Sequence, residues 1–194
     1  MTMFHEGNRI LQDRYGGRPV ADKIVEMVES DTFNEEFTAF IEALPFFFLA
    51  TSANGVTDCS FKGGEPGFIR ITGPRTLIFP DYDGNRMYKS LGNILENPNV
   101  GLLFMRFGAE EGQGALFLRV RVNGRARIHD EHEALSSFPG ALRIIEVEAD
   151  HIYPNCPRYI PQMDMVAPSR HVPEAGTAQP VPEWKKIPPI AEIL

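Results

Sequence analysis

The run from Thr57 to Phe104 carries the side chains best suited to bind an anion. It combines cations with neutral hydrogen-bond donors: Lys62, Arg86, Lys89, Ser60, Asn85, Ser90 and Asn93. A phosphate monoester needs such a set, because one or two cations offset its charge while hydroxyl and amide groups satisfy its other oxygens. The glycines of this run let the main chain approach a ligand closely. The run therefore favours a phosphate site, with a solvated turn rich in glycine and lysine as the alternative.

Composition and charge limit the class of protein. The 194 residues are 43% hydrophobic and 23% charged, which is typical of a globular domain with appended ends. The net charge of −7 disfavours nucleic acid and anionic membranes as partners, because both recruit basic surfaces. Residues 1–31 lack the apolar core of a secretory signal, and the longest apolar run, residues 43–50, is too short to span a bilayer. We therefore expect a cytoplasmic protein.

Apolar residues at helical spacing predict two helices near the N-terminus, over residues 19–29 and 33–43. Pro19 suits the first turn of a helix, where its missing N–H costs nothing. A third helix is predicted over 87–96 and a short one over 131–138. We expect residues 1–44 to form a helical segment that packs on the main domain.

Short apolar segments separated by Gly/Pro turns predict an antiparallel sandwich or barrel. Seven segments have this character: 46–51, 56–62, 68–72, 76–79, 100–106, 115–128 and 141–153. Asn123-Gly124 predicts a bend or bulge. Prolines dominate after Pro154, so we expect residues 45–162 to be the main domain and 163–194 an extended arm.

Several of these segments together resemble the pyridoxamine 5′-phosphate oxidase-like family. The segment from Asn85 through Ser90-Leu-Gly-Asn-Ile-Leu-Glu-Asn-Pro to Phe104 is similar to that family's FMN-binding motif. Residues 58–63, 66–70, 118–127 and 155–160 also resemble it, in the same order along the chain. The resemblance covers roughly residues 40–162.

The resemblance implies a mainly β protein, namely a six-stranded antiparallel split β-barrel with peripheral helices. It further implies a homodimer that holds FMN at the interface. The residues that would contact FMN are Ser60, Phe61, Lys62, Phe79, Pro80, Asp81, Asn85, Arg86, Lys89, Ser90, Asn93 and Arg158. Among them, Lys62 and Arg86 would pair with the phosphate, and Arg158 would reach the FMN of the other subunit. Split barrels expose an apolar face, and the 14 phenylalanines are compatible with a large buried interface.

The activity implied by the resemblance is hydride transfer between the flavin and a small-molecule substrate, with no side chain required as acid or base. Vitamin B6 oxidation is not expected, because the sequence departs from the phosphate motif of the true oxidase. The strand at 57–62 carries a single lysine, and Arg86 and Lys89 are three residues apart and not adjacent. The alternatives are a flavin carrier without turnover and a split barrel that binds deazaflavin or haem. Cys156 is either a redox thiol beside the flavin or a structural residue in a turn. The five histidines have no metal-ligand spacing, so no metal is expected.

Overall fold

Seven antiparallel strands form the centre of the molecule in a computed structural model that describes residues 2–108, 118–156 and 158–193. The strands are β1 Phe46–Ala53, β2 Val56–Gly63, β3 Arg70–Gly73, β4 Thr76–Tyr82, β5 Asn99–Met105, β6 Arg119–His129 and β7 Ala141–Pro154. They pair in the order β2-β1-β5-β6-β7-β4-β3, so β2 and β3 lie at the two edges. The mainly β, split-barrel prediction is confirmed.

The strand count differs from the six that the resemblance implied and agrees with the seven segments identified from the residues. The shortest strand is β3, which has four residues and pairs with β4 alone. The turn at Pro74 and Arg75 connects it to β4. The predicted strand 115–128 begins at Arg119 in the structure, and its first residues, 115–117, lie outside the described part of the chain.

The described residues also contain five α-helices: α1 Glu6–Arg14, α2 Arg18–Val28, α3 Glu35–Glu42, α4 Lys89–Glu96 and α5 Pro188–Ala191. The predictions of α2, α3 and α4 are confirmed to within two residues at each end. The sequence analysis missed α1, which is largely polar and buries none of its residues. The segment predicted over 131–138 is a 3-10 helix, Glu133–Ser137, and a second one, Glu183–Lys186, precedes α5 in the arm.

Phenylalanines form the centre of the core. Phe47 of β1 is fully buried, and its ring centroid lies 4.9 Å from that of Phe79 and 5.3 Å from that of Phe104. Helix α4 packs against β1 through the buried side chains of Leu91 and Ile94. This packing places the N-terminus of α4 beside the edge strand β2.

The predicted bulge at Asn123-Gly124 is confirmed, since the β6–β7 register shifts between these two residues. A Cβ on Gly124 would lie 2.2 Å from the Glu148 carbonyl oxygen, so this close approach admits only glycine. No helix in the described residues is both long enough and apolar enough to cross a membrane.

Candidate functional site

A cleft of about 370 Å³ lies between β2, the end of β4, the loop at 83–88 and the N-terminus of α4. It is lined by eight of the twelve predicted cofactor-binding residues: Ser60, Phe61, Lys62, Asp81, Asn85, Arg86, Lys89 and Ser90. The structure therefore brings the two halves of the predicted phosphate motif together at one place.

The register of β2 explains which of its side chains face the cleft. Lys62 lies opposite Phe47 and Ser60 opposite Leu49, and both of these β1 residues are buried in the core. Directly opposed residues point to the same face of a sheet. Asp58, Ser60 and Lys62 consequently lie on the inner face of β2, whereas Cys59 and Phe61 lie on its exposed outer face.

Burial lowers the pKa of the Lys62 ammonium, although Asp81 and Asp58 oppose this effect by favouring its charge. Lys62 lies opposite the fully buried Phe47, so the strand register places its side chain on the face of β2 that is turned to the core. A partly buried cation of this kind is stabilised when an anion binds beside it.

The cations in and beside the cleft divide into two groups. Arg143 Nη1 lies 3.0 Å from Asp81 Oδ2, and Lys185 pairs with Asp83, so two of the cleft's acidic side chains are neutralised. Lys62, Arg86 and Lys89 form no ion pair with any residue that the structure describes. The cleft therefore offers positive charge to a ligand despite its three aspartates.

Two serines and an aspartate connect β2 to α4. The Oγ atoms of Ser60 and Ser90 are 3.0 Å apart, and Ser90 Oγ donates to Asp58 Oδ2 at 3.2 Å. Since Ser90 gives its single hydroxyl hydrogen to Asp58, the hydrogen between the two serines comes from Ser60. Both hydroxyl hydrogens are thus donated within the protein, so the hydrogen-bond donors for an anion are the cationic side chains and the main-chain N–H groups.

The N-terminus of α4 points its main-chain donors at the cleft. No side chain caps this helix, and Lys89, Ser90 and Leu91 of its first turn all line the cleft. The first N–H groups of a helix have no partner within it and carry a partial positive charge, which makes them suited to bind anions.

The loop before α4 is held in an unusual backbone conformation. Arg86 has φ +60° and Tyr88, the N-cap residue, has φ +51°, both in the left-handed region that favours glycine. Such positions cost about 1–3 kcal/mol each and concentrate at functional sites. Asn85 Oδ1 accepts from the Met87 N–H at 3.0 Å and so helps to hold the loop. The sequence analysis missed this geometry, because left-handed backbone is predicted at glycine or asparagine and not at arginine or tyrosine.

Four predicted residues do not line the cleft. Phe79 is 1% exposed with its ring against Phe47, so only its main chain is available to a ligand, and Pro80 is also buried. Asn93 donates to Thr51 Oγ1 at 3.0 Å, which ties α4 to β1. Arg158 is exposed between the end of β7 and the arm. Their contacts with a cofactor remain predictions.

The sequence analysis missed several residues that line the cleft, among them Asp58, Tyr82, Tyr88, Leu142 and Arg143. Arg143 is the informative case, because it lies directly opposite Asp81 in the β4–β7 pairing. Sixty-two positions separate the two residues in sequence, so no local pattern reveals the pair.

A second cavity of about 420 Å³ adjoins the cleft at Tyr82, which lines both. Arg70 lines this cavity in a fixed orientation, because it donates to Ser137 Oγ at 2.6 Å and lies 3.8 Å from the Phe138 ring centroid. Burial raises the pKa of the Tyr82 phenol, which therefore remains a protonated donor between the two cavities at neutral pH.

Within the described ranges, no group of three or more His, Cys, Asp or Glu side chains is arranged to hold a metal ion. Cys59 and Cys156 are both exposed free thiols, and neither lines the cleft.

The sheet topology and the cation-lined cleft at its β2 edge define this chain as a split β-barrel protein with a candidate anion-binding site. The family profile for pyridoxamine 5′-phosphate oxidase matches residues 33–172, and the chain belongs to this family. No curated protein matches the sequence.

Similar solved structures include HupZ from Group A Streptococcus, which is 16% identical with a TM-score of 0.46 and an alignment covering 64% of this chain and 98% of that one. An FMN-binding protein from Syntrophomonas wolfei is 12% identical with a TM-score of 0.45, covering 75% and 97%. A FAD-binding protein from Mesorhizobium loti is 18% identical with a TM-score of 0.42, covering 64% and 94%.

Proposed function

We propose that the cleft binds FMN and that the protein is an FMN-dependent oxidoreductase acting on a small molecule. The observation that carries this proposal is the convergence of three cations without ion-pair partners in the described structure, Lys62, Arg86 and Lys89, on the uncapped N-terminus of α4. Cations and helix N–H groups together suit a dianionic phosphate monoester. Membership of the pyridoxamine 5′-phosphate oxidase family supports a flavin as the molecule that carries this phosphate.

The remainder of the cleft fits a flat aromatic ring. Tyr88 and Leu142 line it with 51% and 48% of their surface exposed. Large apolar side chains left in solvent beside a polar site favour stacking with a planar ligand. The phosphate would thus lie at α4 and the ring against these two side chains.

Bound FMN would supply hydride-transfer chemistry at its N5 atom. The chain's own residues would bind and orient the cofactor: Lys62, Arg86 and Lys89 hold the phosphate, while the Asp81–Arg143 pair gives the cleft a rigid wall. Tyr88 and Leu142 would exclude water from one side of the ring. Tyr82 would hold a proton at its phenol oxygen, where the second cavity meets the cleft. We propose this cavity as the place where the substrate enters.

We also propose that the protein is a homodimer. Phe46, Phe48, Phe61 and Phe107 form an aromatic patch, with ring centroids 5.3–6.0 Å apart between contacting pairs. Phe48 and Phe61 are cross-strand neighbours, and Phe61 is 63% exposed. The other three phenylalanines are half-buried, and a contiguous aromatic patch that is partly open to solvent favours an interaction site. Because Phe61 belongs to both the patch and the cleft, a second copy on this patch would cover the cofactor and bring Arg158 of that copy near it.

The dimer proposal predicts that Phe61→Asp yields a monomer, because a charge would be buried at the centre of the interface. The measurement is molar mass by light scattering at micromolar concentration. Val166→Asp is the matched control, since Val166 is 100% exposed in the arm and should leave the dimer intact. A monomeric wild type, or a Phe61→Asp variant that remains dimeric, contradicts the proposal.

The first test of the proposed function is the absorbance spectrum of the purified protein, followed by heat release of the ligand and chromatography against FMN. We expect a flavin spectrum and about one FMN per chain. Bleaching of the flavin band by NADH or NADPH would identify an oxidoreductase, and its absence with every donor tested would favour a flavin carrier. A haem or deazaflavin spectrum, or a colourless protein that takes up no added FMN, contradicts the proposal.

The lowered pKa of Lys62 predicts a pH dependence of FMN affinity. As the pH rises through this pKa, the free protein loses the cation, whereas bound phosphate favours its retention, so the affinity falls. The free energy of unfolding changes with pH in the opposite direction to the FMN affinity. The folded pKa lies below the unfolded value, so the free energy of unfolding rises with pH between the two.

The measurement is the Kd for FMN between about pH 7 and pH 10, with riboflavin as the ligand that lacks phosphate. We expect FMN affinity to decline below the usual lysine range and riboflavin affinity to stay constant. Lys62→Arg is the control, because arginine keeps its charge over this range. An identical decline in Lys62→Arg would assign the effect to another group.

A further inference from the structure

The C-terminal arm, residues 163–193, is closely packed on the barrel at two glycines. A Cβ on Gly108 would lie 3.1 Å from the Met163 carbonyl oxygen, and a Cβ on Gly140 would lie 2.9 Å from Pro173 Cβ. Pro173 and Glu174 then line the second cavity. The arm therefore passes beside the second cavity before it reaches the cleft.

The arm reaches the cleft through one ion pair. Lys185, in the 3-10 helix Glu183–Lys186, pairs its Nζ with the carboxylate of Asp83. The Lys185 side chain is only 16% exposed, which is low for a lysine, and Asp83 lines the cleft in the same loop as Arg86. This contact joins residues 102 positions apart.

Asp83 is unfavourable for an anion-binding cleft when it is considered alone. Its carboxylate lies in the loop that presents Arg86 and leads into α4, so an unpaired negative charge there would repel a phosphate. Asp81 presents the same difficulty, which Arg143 resolves from the barrel. For Asp83, the neutralising cation comes from the arm.

We propose that Lys185 is a positioning residue for the cofactor. It neutralises Asp83 and holds the arm against the 83–88 loop, and both effects allow the cleft to bind the FMN phosphate. This inference rests on the proposed FMN function. It assigns the arm a role in cofactor affinity and makes removal of the arm equivalent to exposing an acidic side chain beside the phosphate.

The neighbouring lysine provides a matched control. Lys186 pairs with Glu183 at 2.7 Å within the same 3-10 helix, and its side chain is 56% exposed. Lys185→Gln and Lys186→Gln remove the same charge from adjacent positions, but only the first releases Asp83. Long-range electrostatics of the whole protein are thus held equal between the two variants.

The experiment measures the Kd for FMN by flavin fluorescence and hydrogen exchange of the arm in the cofactor-free protein. We expect Lys185→Gln to weaken FMN binding about tenfold, as breaking a partly buried charge pair at a binding site does, and to increase exchange in the arm. Lys186→Gln should change neither quantity. The double variant Asp83→Asn/Lys185→Gln should regain most of the FMN affinity, because the carboxylate that Lys185 neutralises is then absent.

Equal Kd values for the two single variants overturn the inference, and so does a double variant that binds as weakly as Lys185→Gln. If the wild type itself fails to bind FMN, the proposed function fails instead. Hydrogen exchange separates the two failures, since it reports docking of the arm through Lys185 without any cofactor.

Discussion

Lys62→Gln will weaken FMN binding roughly 10- to 100-fold and leave riboflavin binding nearly unchanged. A hydrogen bond between ionised groups contributes about 1.5–3 kcal/mol, and each 1.4 kcal/mol is a factor of ten in Kd. Lys62 is the cation with the strongest claim to this role, because burial destabilises its charge in the free protein and phosphate would offset that cost. Riboflavin lacks the phosphate and isolates this contact from ring stacking.

The measurement is the ratio of the two Kd values in wild type and variant. Lys23→Gln is the charge control, since Lys23 lies on α2 in an exposed pair with Glu26 at 2.7 Å. It removes the same net charge and should leave the ratio unchanged. Equal losses for FMN and riboflavin would show that Lys62 does not contact the phosphate.

Phe47→Ala will have the largest effect on stability, lowering the free energy of unfolding by about 3–5 kcal/mol. Phe47 is 0% exposed, and its ring contacts Phe68, Phe79 and Phe104 at centroid distances of 6.0, 4.9 and 5.3 Å. Truncation would remove the apolar burial of a whole ring and leave a cavity at the point where β1, β4 and β5 meet.

Urea denaturation followed by circular dichroism measures this loss. Phe47→Leu keeps much of the volume and should cost about 1–2 kcal/mol, which provides a value if the alanine variant does not fold. Tyr15→Ala is the surface control, since Tyr15 is 77% exposed, and should change the stability by less than about 0.5 kcal/mol. A loss below about 1 kcal/mol for Phe47→Ala would contradict the assignment of this ring to the centre of the core.

The strands and most of the cleft could be predicted because their signals are local. Apolar runs between Gly/Pro turns identified all seven strands, and Asn123-Gly124 identified the bulge. The sequence analysis also chose eight residues that the structure brings to one cleft. They come from β2, the end of β4 and the following loop and helix, which are close in sequence, so little long-range information was needed.

The environment of a residue could not be predicted where it depends on distant parts of the chain. The ring of Phe79 is in the core against Phe47, and the amide of Asn93 donates to Thr51 across the α4–β1 packing. Neither residue lines the cleft, and their cofactor contacts stay predictions. Neither orientation follows from residue type, because both depend on which elements pack together.

The sequence by itself determined the strand segments, the breaks between them and the presence of cations and donors suited to a phosphate, because hydrophobic periodicity and turn chemistry act over a few residues. Only the tertiary structure decided which charges remain available. The β4–β7 register pairs Asp81 with Arg143, and Lys185 of the arm pairs with Asp83. Lys62, Arg86 and Lys89 thereby keep the charge that a phosphate requires, since pairing between charges depends on distance in space and not on separation along the chain.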